Sequence, residues 1–166
     1  MTSPLLSIPE RIAQEIIERL EEIQIVNSFD FDVVDVVRPD RLARNWTPKN
    51  YRILLVQGSE DRLPELDHEG NPPAIAWQVE YQIKVFLREG DRSETAHAIG
   101  ENRIAANIRK AITNSSTWYN FGEVALFADM GASEPFFTNE GDSQGITIPI
   151  TVTYRASETD PFEVRR

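Results

Sequence analysis

One stretch limits the possible folds more than any other: "AIAWQVEYQIKVFLRE", residues Ala74–Glu89. Trp77, Val79, Tyr81, Ile83, Val85 and Leu87 fall on one side of an extended chain. Gln78, Glu80, Gln82, Lys84 and Arg88 fall on the other, with Phe86 among them. A period of two sustained this long specifies a β-strand with one apolar face. Fully extended, residues 74–88 span about 50 Å. A compact chain of this length is only about 30 Å across. The strand must therefore bend strongly or project beyond the globule.

The other elements arrange themselves around it. "SIPERIAQEIIERLEEIQIV" is an amphipathic helix, with Ser7 and Glu10 as a capping box and Pro9 in the first turn. Ile8, Ile12, Ile16, Leu20 and Ile23 form its apolar stripe. A second helix is expected from about Asp91 to Asn114, with Ala105, Ile108 and Ile112 inward and Gly100 marking a close helix–sheet contact. "YRILLVQ" (Tyr51–Gln57) is apolar on both faces and reads as central. "GEVALFA" (Gly122–Ala128) and "GITIPITVTYR" (Gly145–Arg155) are further strands. Pro149 lacks an N–H and places the last of these at an edge or a bulge. The order predicts one α+β domain over 1–166. Its largely antiparallel sheet has four to five strands, and two main helices pack on one face. Two long acidic loops remain, 58–73 and 129–145, of a length usually reserved for function or disorder.

Composition removes several classes. The chain of 166 residues carries a formal net charge of -10, which repels nucleic acid and anionic membranes. It has no cysteine, so disulfide frameworks and Cys-ligated metals are excluded. "MTSPLLSIPER" has neither a basic n-region nor an apolar h-region, so no signal peptide is expected. No apolar run approaches the ~20 residues of a membrane span. The glycosylation-type sequons at Asn45 and Asn114 carry no weight without secretion.

Chemistry is thinly signalled. "FDFDVVDVV" places Asp30, Asp32 and Asp35 among Phe and Val. Alternation puts Phe29, Phe31 and Val33 on one face and Asp30 with Asp32 on the other. This is either the wet face of a half-buried strand or part of a divalent-cation site, which needs oxygens converging from several elements. His68 and His97 lack metal-ligand spacing, and no phosphate-binding or nucleophile motif occurs. No catalytic residue, metal or cofactor is expected. "EPFF" (Glu134–Phe137) sets Phe136 and Phe137 in a polar loop, where they either plug their own core or meet a partner. Trp118, Tyr119 and Phe121 pose the same pair of alternatives at the end of the second helix.

The C-terminal stretch "EGDSQGITIPITVTYRASETDPF" resembles the end of bacteriophage tail terminator proteins, the lambda-like and related tail-completion families. These finish with an alternating strand and a polar segment ending in Asp-Pro-aromatic, here Asp160, Pro161 and Phe162. The layout of helix, strand, strand pair, helix and final edge strand is similar over nearly the whole chain. The segment Arg38–Asn50 has no place in that pattern. The resemblance implies a non-enzymatic virion protein, assembled in the host bacterial cytoplasm and located at the tail–neck junction. Six copies would form a ring that caps the tail tube, stops its elongation and joins head-completion or neck proteins. In a contractile tail the ring would also meet the sheath. Its partners would be itself, the major tube protein and the neck protein, with DNA passing through the lumen ungripped. Candidate contacts are Phe136, Phe137, Trp118, Tyr119, Arg155, Asp160 and Phe162, with Asp30 and Asp32 facing the lumen. The alternatives are another neck ring component, such as a head-closure or adaptor protein, or a small cation-dependent enzyme.

Overall fold

The computed structural model describes residues 6–39, 51–86, 94–114, 118–137 and 143–165. The elements are α1 (Ile8–Glu21), β1 (Val33–Val37), β2 (Tyr51–Arg62), β3 (Ala74–Phe86), α2 (Glu94–Thr113), β4 (Phe127–Met130), β5 (Glu134–Phe137) and β6 (Ser143–Ser157). The architecture is α+β with two helices. The sheet has six strands instead of four to five, in the order β1-β2-β3-β6-β4, with β5 also on β6. All pairings are antiparallel except β1 with β2. Expectations for Asp40–Asn50, Leu87–Glu89, the start of the second helix at Asp91 and residues 138–142 of the second loop fall outside the described residues.

The strand that dominates the sequence dominates the structure. β3 pairs with β6 in unbroken register from Ala74↔Ser157 to Phe86↔Gly145. Val79, Tyr81, Ile83 and Val85 are buried, and the alternating residues Gln78, Glu80, Gln82 and Lys84 are half-buried. Ile146, Ile148, Ile150, Val152 and Tyr154 continue the same buried face on β6. The five positions predicted as one stripe, Ile8, Ile12, Ile16 and Leu20 in α1 and Ile23 just past its end, are fully buried in this core. Ser7 Oγ accepts the Glu10 N–H at 3.4 Å and so satisfies one of the donors left open at the helix start. The Tyr81 hydroxyl donates to the Pro9 carbonyl at 2.6 Å, tying α1 to β3. Burial pushes the Tyr81 pKa up, so the phenol stays a donor.

The expected loop 58–73 is largely ordered pairing. β2 continues to Arg62 past a register irregularity between Gln57 and Glu60, around Gly58, where the apolar run gives way to polar residues. A 3-10 turn follows at Pro64–Leu66, and His68 bridges back to Ala74. Asp67 stands in for a strand residue: its Oδ1 accepts the Ala76 N–H at 2.8 Å, and its Oδ2 accepts from Arg62 at 2.8 Å. Turn chemistry of this kind has no apolar period, so sequence patterning reads it as a loop.

The expected strand Gly122–Ala128 is displaced. Phe121, Gly122 and Glu123 all have positive φ, and the turn they form delays β4 to Phe127. β5 then occupies the middle of the expected loop 129–145. The last strand is not an edge strand: β6 lies between β3 and β4/β5. Pro149 is tolerated there because its carbonyl faces the β4/β5 side, where it accepts the Gly131 N–H at 2.9 Å. In a strand the N–H and C=O of one residue point the same way, so the missing donor faces the gap between the two short strands. No β3–β6 bond is lost.

Two glycines differ sharply in what they tolerate. A Cβ on Gly145 would lie 1.9 Å from the Val85 carbonyl oxygen and 2.8 Å from the Phe136 ring. A Cβ on Gly100 would meet nothing within 4 Å, so no close helix–sheet contact explains that glycine. Gly145→Ala should therefore cost about 3 kcal/mol or fold poorly, because backbone must shift. Gly100→Ala, mid-helix, should stabilise by about 0.5–1 kcal/mol. Urea titration of both variants measures the contrast.

Candidate functional site

The three aspartates of "FDFDVVDVV" do not converge. Residues 29–32 precede β1, but the alternation holds: Phe29, Phe31 and Val33 are buried, and Asp30 and Asp32 are exposed. Each acid has its own partner. Asp30 Oδ2 accepts from Asn107 Nδ2 at 2.8 Å and lies 3.3 Å from Arg103 Nε. The Asn107 bond, assisted by the Arg103 and Lys110 charges, lowers the Asp30 pKa. Asp32 Oδ1 accepts the Ile25 N–H at 2.7 Å. Asp35 pairs with Arg52 at 3.1 Å. Among the described residues no group of three or more His, Cys, Asp or Glu is placed to hold a metal ion.

The helices are locked together by a buried arginine. Arg19 donates from Nη1 to the Ile112 carbonyl at 2.8 Å, at the C-terminal end of α2, where a cation also favours the helix dipole. Its Nη2 meets Glu15 at 2.8 Å, and its guanidinium lies 4.8 Å from the Phe121 ring centroid. Phe121 is buried in the core and has positive φ.

Phe136 lies in β5, not in a free loop. Phe86, Gly145 and Phe136 are cross-strand neighbours, and the two rings meet edge to face at 5.1 Å over the glycine. The close approach of ring and backbone is what Gly145 permits. Phe136 remains partly exposed. Phe137 follows it in β5, and Trp118 opens the 3-10 turn Trp118–Asn120. Tyr119 in that turn and Phe127 in β4 are both about half exposed.

The C-terminal candidates form a separate structure. Arg155 Nε donates to the Leu66 carbonyl at 2.7 Å, holding the Pro64–Leu66 turn against this end of the sheet. Asp160 accepts the Phe162 N–H at 3.0 Å in a tight turn, which leaves Phe162 exposed. The tail then returns along β6: Ser157 N–H donates to Glu163, and Arg165 N–H to Arg155. β5, β4 and this tail together cover the outer edge of β6. The buried Tyr154 hydroxyl donates to Glu60, across from β2. Burial, then the Glu60 carboxylate, push its pKa up.

Thus the structure does not bring the candidates together: Asp30 lies against α2, Asp32 at the Ile25–Asn27 turn, Trp118 and Tyr119 in the turn after α2, Phe136 and Phe137 at one sheet corner, and Arg155, Asp160 and Phe162 at the opposite end. The sequence reading missed the most exposed apolar pair among the described residues, Ile25 and Val26, at 60% and 81% exposure. Ile23, fully buried, extends the helix stripe to within two residues of this pair, so periodicity hides the point where apolar residues leave the core. No protein-family model matches the sequence, and no curated protein matches it.

Two outcomes follow. Phe136→Ala should destabilise the subunit by about 1–2 kcal/mol, from the lost aromatic pair and burial, as read by a thermal melt. Asp30 and Asp67 both have lowered pKa values, Asp67 chiefly through the Ala76 N–H. Their contribution to stability is complete above the ordinary carboxylate pKa and is lost as pH falls through the lowered folded values. Between pH 5 and pH 2 the wild-type melting temperature should therefore fall more steeply than that of Asp30→Asn/Asp67→Asn.

Proposed function

We propose that this chain is a structural subunit of a phage particle: a tail terminator that assembles as a hexameric ring. The ring caps the tail tube, ends its elongation and presents a surface to head-completion or neck proteins. In a contractile tail it also meets the sheath. It catalyses no reaction. The observation that carries this reading is the length of the sheet. The 13 residues of β3 span about 43 Å, more than the width of a compact chain of this size. A sheet this long, buried on one face from end to end, suits a subunit whose neighbours pack along its other face.

On this reading both helices cover one face of the sheet, as their shared core with β3 and β6 favours. The polar face with Gln78, Glu80, Gln82 and Lys84 is left for neighbours or lumen. The ring would carry six times the charge of -10, which lets DNA slide past without adhering. Asp30 and Asp32 are exposed, as a lumen position requires. Phe136, Tyr119, Phe127 and Phe162 are among the partly exposed aromatics available to tube and neck.

The test is the solution mass, followed by negative-stain imaging with and without tube protein. The expected particle is about 113 kDa, six times 18.9 kDa, with ring-shaped projections that seat on tube ends. A protein that stays monomeric up to high concentration, alone and with tube protein, would overturn the ring. A ring that binds head-side proteins and ignores tubes would mark another neck component.

A further inference from the structure

Residues 158–162 turn the chain back on itself, and Glu163–Arg165 then run beside the strand they follow. Ser157 N–H donates to the Glu163 carbonyl and Arg165 N–H to the Arg155 carbonyl, each at 3.0 Å. Ala156 and Val164 stand opposite each other between these bonds, and Val164 packs against the core. This three-residue strap fills the last part of the outer edge of β6, beyond β4, whose pairing stops at Thr153. Without it the Ser157 N–H and the Arg155 carbonyl would open an unpaired sheet edge.

The strap is lightly held on its own copy. Val164 is its single apolar side chain. Glu163 and Arg165 pair with each other at 3.0 Å, so that ion pair lies within the strap and travels with it. Arg165 Nε is buried and has no hydrogen-bond partner among the described residues, an unmet bond that weakens the hold. The turn adds little. Pro161 and Phe162 are exposed. Phe162 N–H and Glu163 N–H bond within the turn, both to Asp160, at 3.0 Å. Three carboxylates, Glu158, Asp160 and Glu163, crowd into six residues and repel one another. Glu158 N–H donates to the Pro73 carbonyl at 3.0 Å, so the chain is fixed up to that residue and opens beyond it, at 159–162. Extended, those four residues reach about 13 Å.

From these features we infer that the strap is exchanged between copies of this chain: Glu163–Arg165 of one copy leave their own β6 and complete the β6 edge of the next. The occupant follows from the contact itself. The edge at Arg155–Ser157 accepts this segment in a defined register. The same segment from a second copy therefore fits it with the same two backbone bonds and the same Ala156–Val164 contact. Opening separates the carboxylates of the turn and gives up bonds local to it. Each copy donates one strap and receives one. Exchange passed onward is head-to-tail and closes into a ring when the rotation per subunit permits. The inference rests on the ring reading and names what ties its subunits.

The chain has no cysteine, which allows a disulfide trap. Ala156 and Val164 are a non-hydrogen-bonded pair, flanked by the bonds at 157–163 and 155–165, where opposite side chains lie closest. Ala156→Cys/Val164→Cys is oxidised and run without reductant on a denaturing gel, and sedimentation gives the mass of wild type in parallel. Onward exchange gives a ladder of linked chains up to the hexamer. Ala156→Cys chains co-expressed with Val164→Cys chains should give linked heterodimers. Val164→Asp removes the strap's apolar contact. It should fold, with a melting temperature close to wild type, and its assembly should weaken about thirtyfold or more. Rings by mass in which every disulfide lies within one chain would overturn the exchange and leave the ring standing, as would a Val164→Asp protein that assembles like wild type. Linked dimers that never extend would overturn the onward course. A wild type that stays monomeric overturns the ring and the exchange together.

Discussion

The β3–β6 ladder is the constraint on which the rest of the structure depends. Thirteen consecutive pairs in one register fix which side chains of both strands face the core. A slip of a single residue would exchange Val79, Tyr81, Ile83 and Val85 for Gln78, Glu80, Gln82 and Lys84. The sheet is built outward from this pair: β2 and then β1 on one side, β4, β5 and the C-terminal tail on the other, with α1 tied on through the Tyr81 hydroxyl. The positions that permit the ladder are small or donor-poor. Gly145 lets two aromatic rings close over the strand, and Pro149 places its missing N–H where no partner strand runs.

What could be read from the sequence was whatever periodicity encodes. The α1 stripe, the Ser7 cap, the inward face of β3 and that of β6 all emerge from spacing alone, because burial imposes a period of 3.6 or 2 on residue type. The alternation of Phe29, Phe31 and Val33 against Asp30 and Asp32 was legible for the same reason. Features set by polar geometry were not. Asp67 takes a strand position through its carboxylate, the positive φ values at Phe121 and Glu123 postpone β4, and β5 joins β6 by a short ladder with one aromatic pair over Gly145. Sheet order was also illegible: nothing local in β6 tells that three separate segments will cover its outer edge.

The candidate sites divide in the same way. The aspartates were identifiable as a solvent-facing set, but their individual partners lie 77 residues away on α2 for Asp30 and seven residues away at a backbone amide for Asp32. Phe136 was identifiable as an aromatic in a polar setting, whereas its neighbour Phe86 is brought to it only through β6. The Ile25–Val26 turn was illegible because its apolar residues continue the composition of the helix before it.

The order of strands in the chain gives the ladder a temporal side. β3 ends at Phe86 and its partner begins at Ser143. At synthesis rates of about 5–20 residues per second, the apolar face of β3 waits roughly 3–11 s for the strand that completes it. During that interval the nascent chain holds a long alternating strand with an unsatisfied edge, the species most prone to pair with a neighbour on the same message. The polar half of β3, with charges at Glu80 and Lys84, then acts as a safeguard for the growing polypeptide as well as a surface of the finished one.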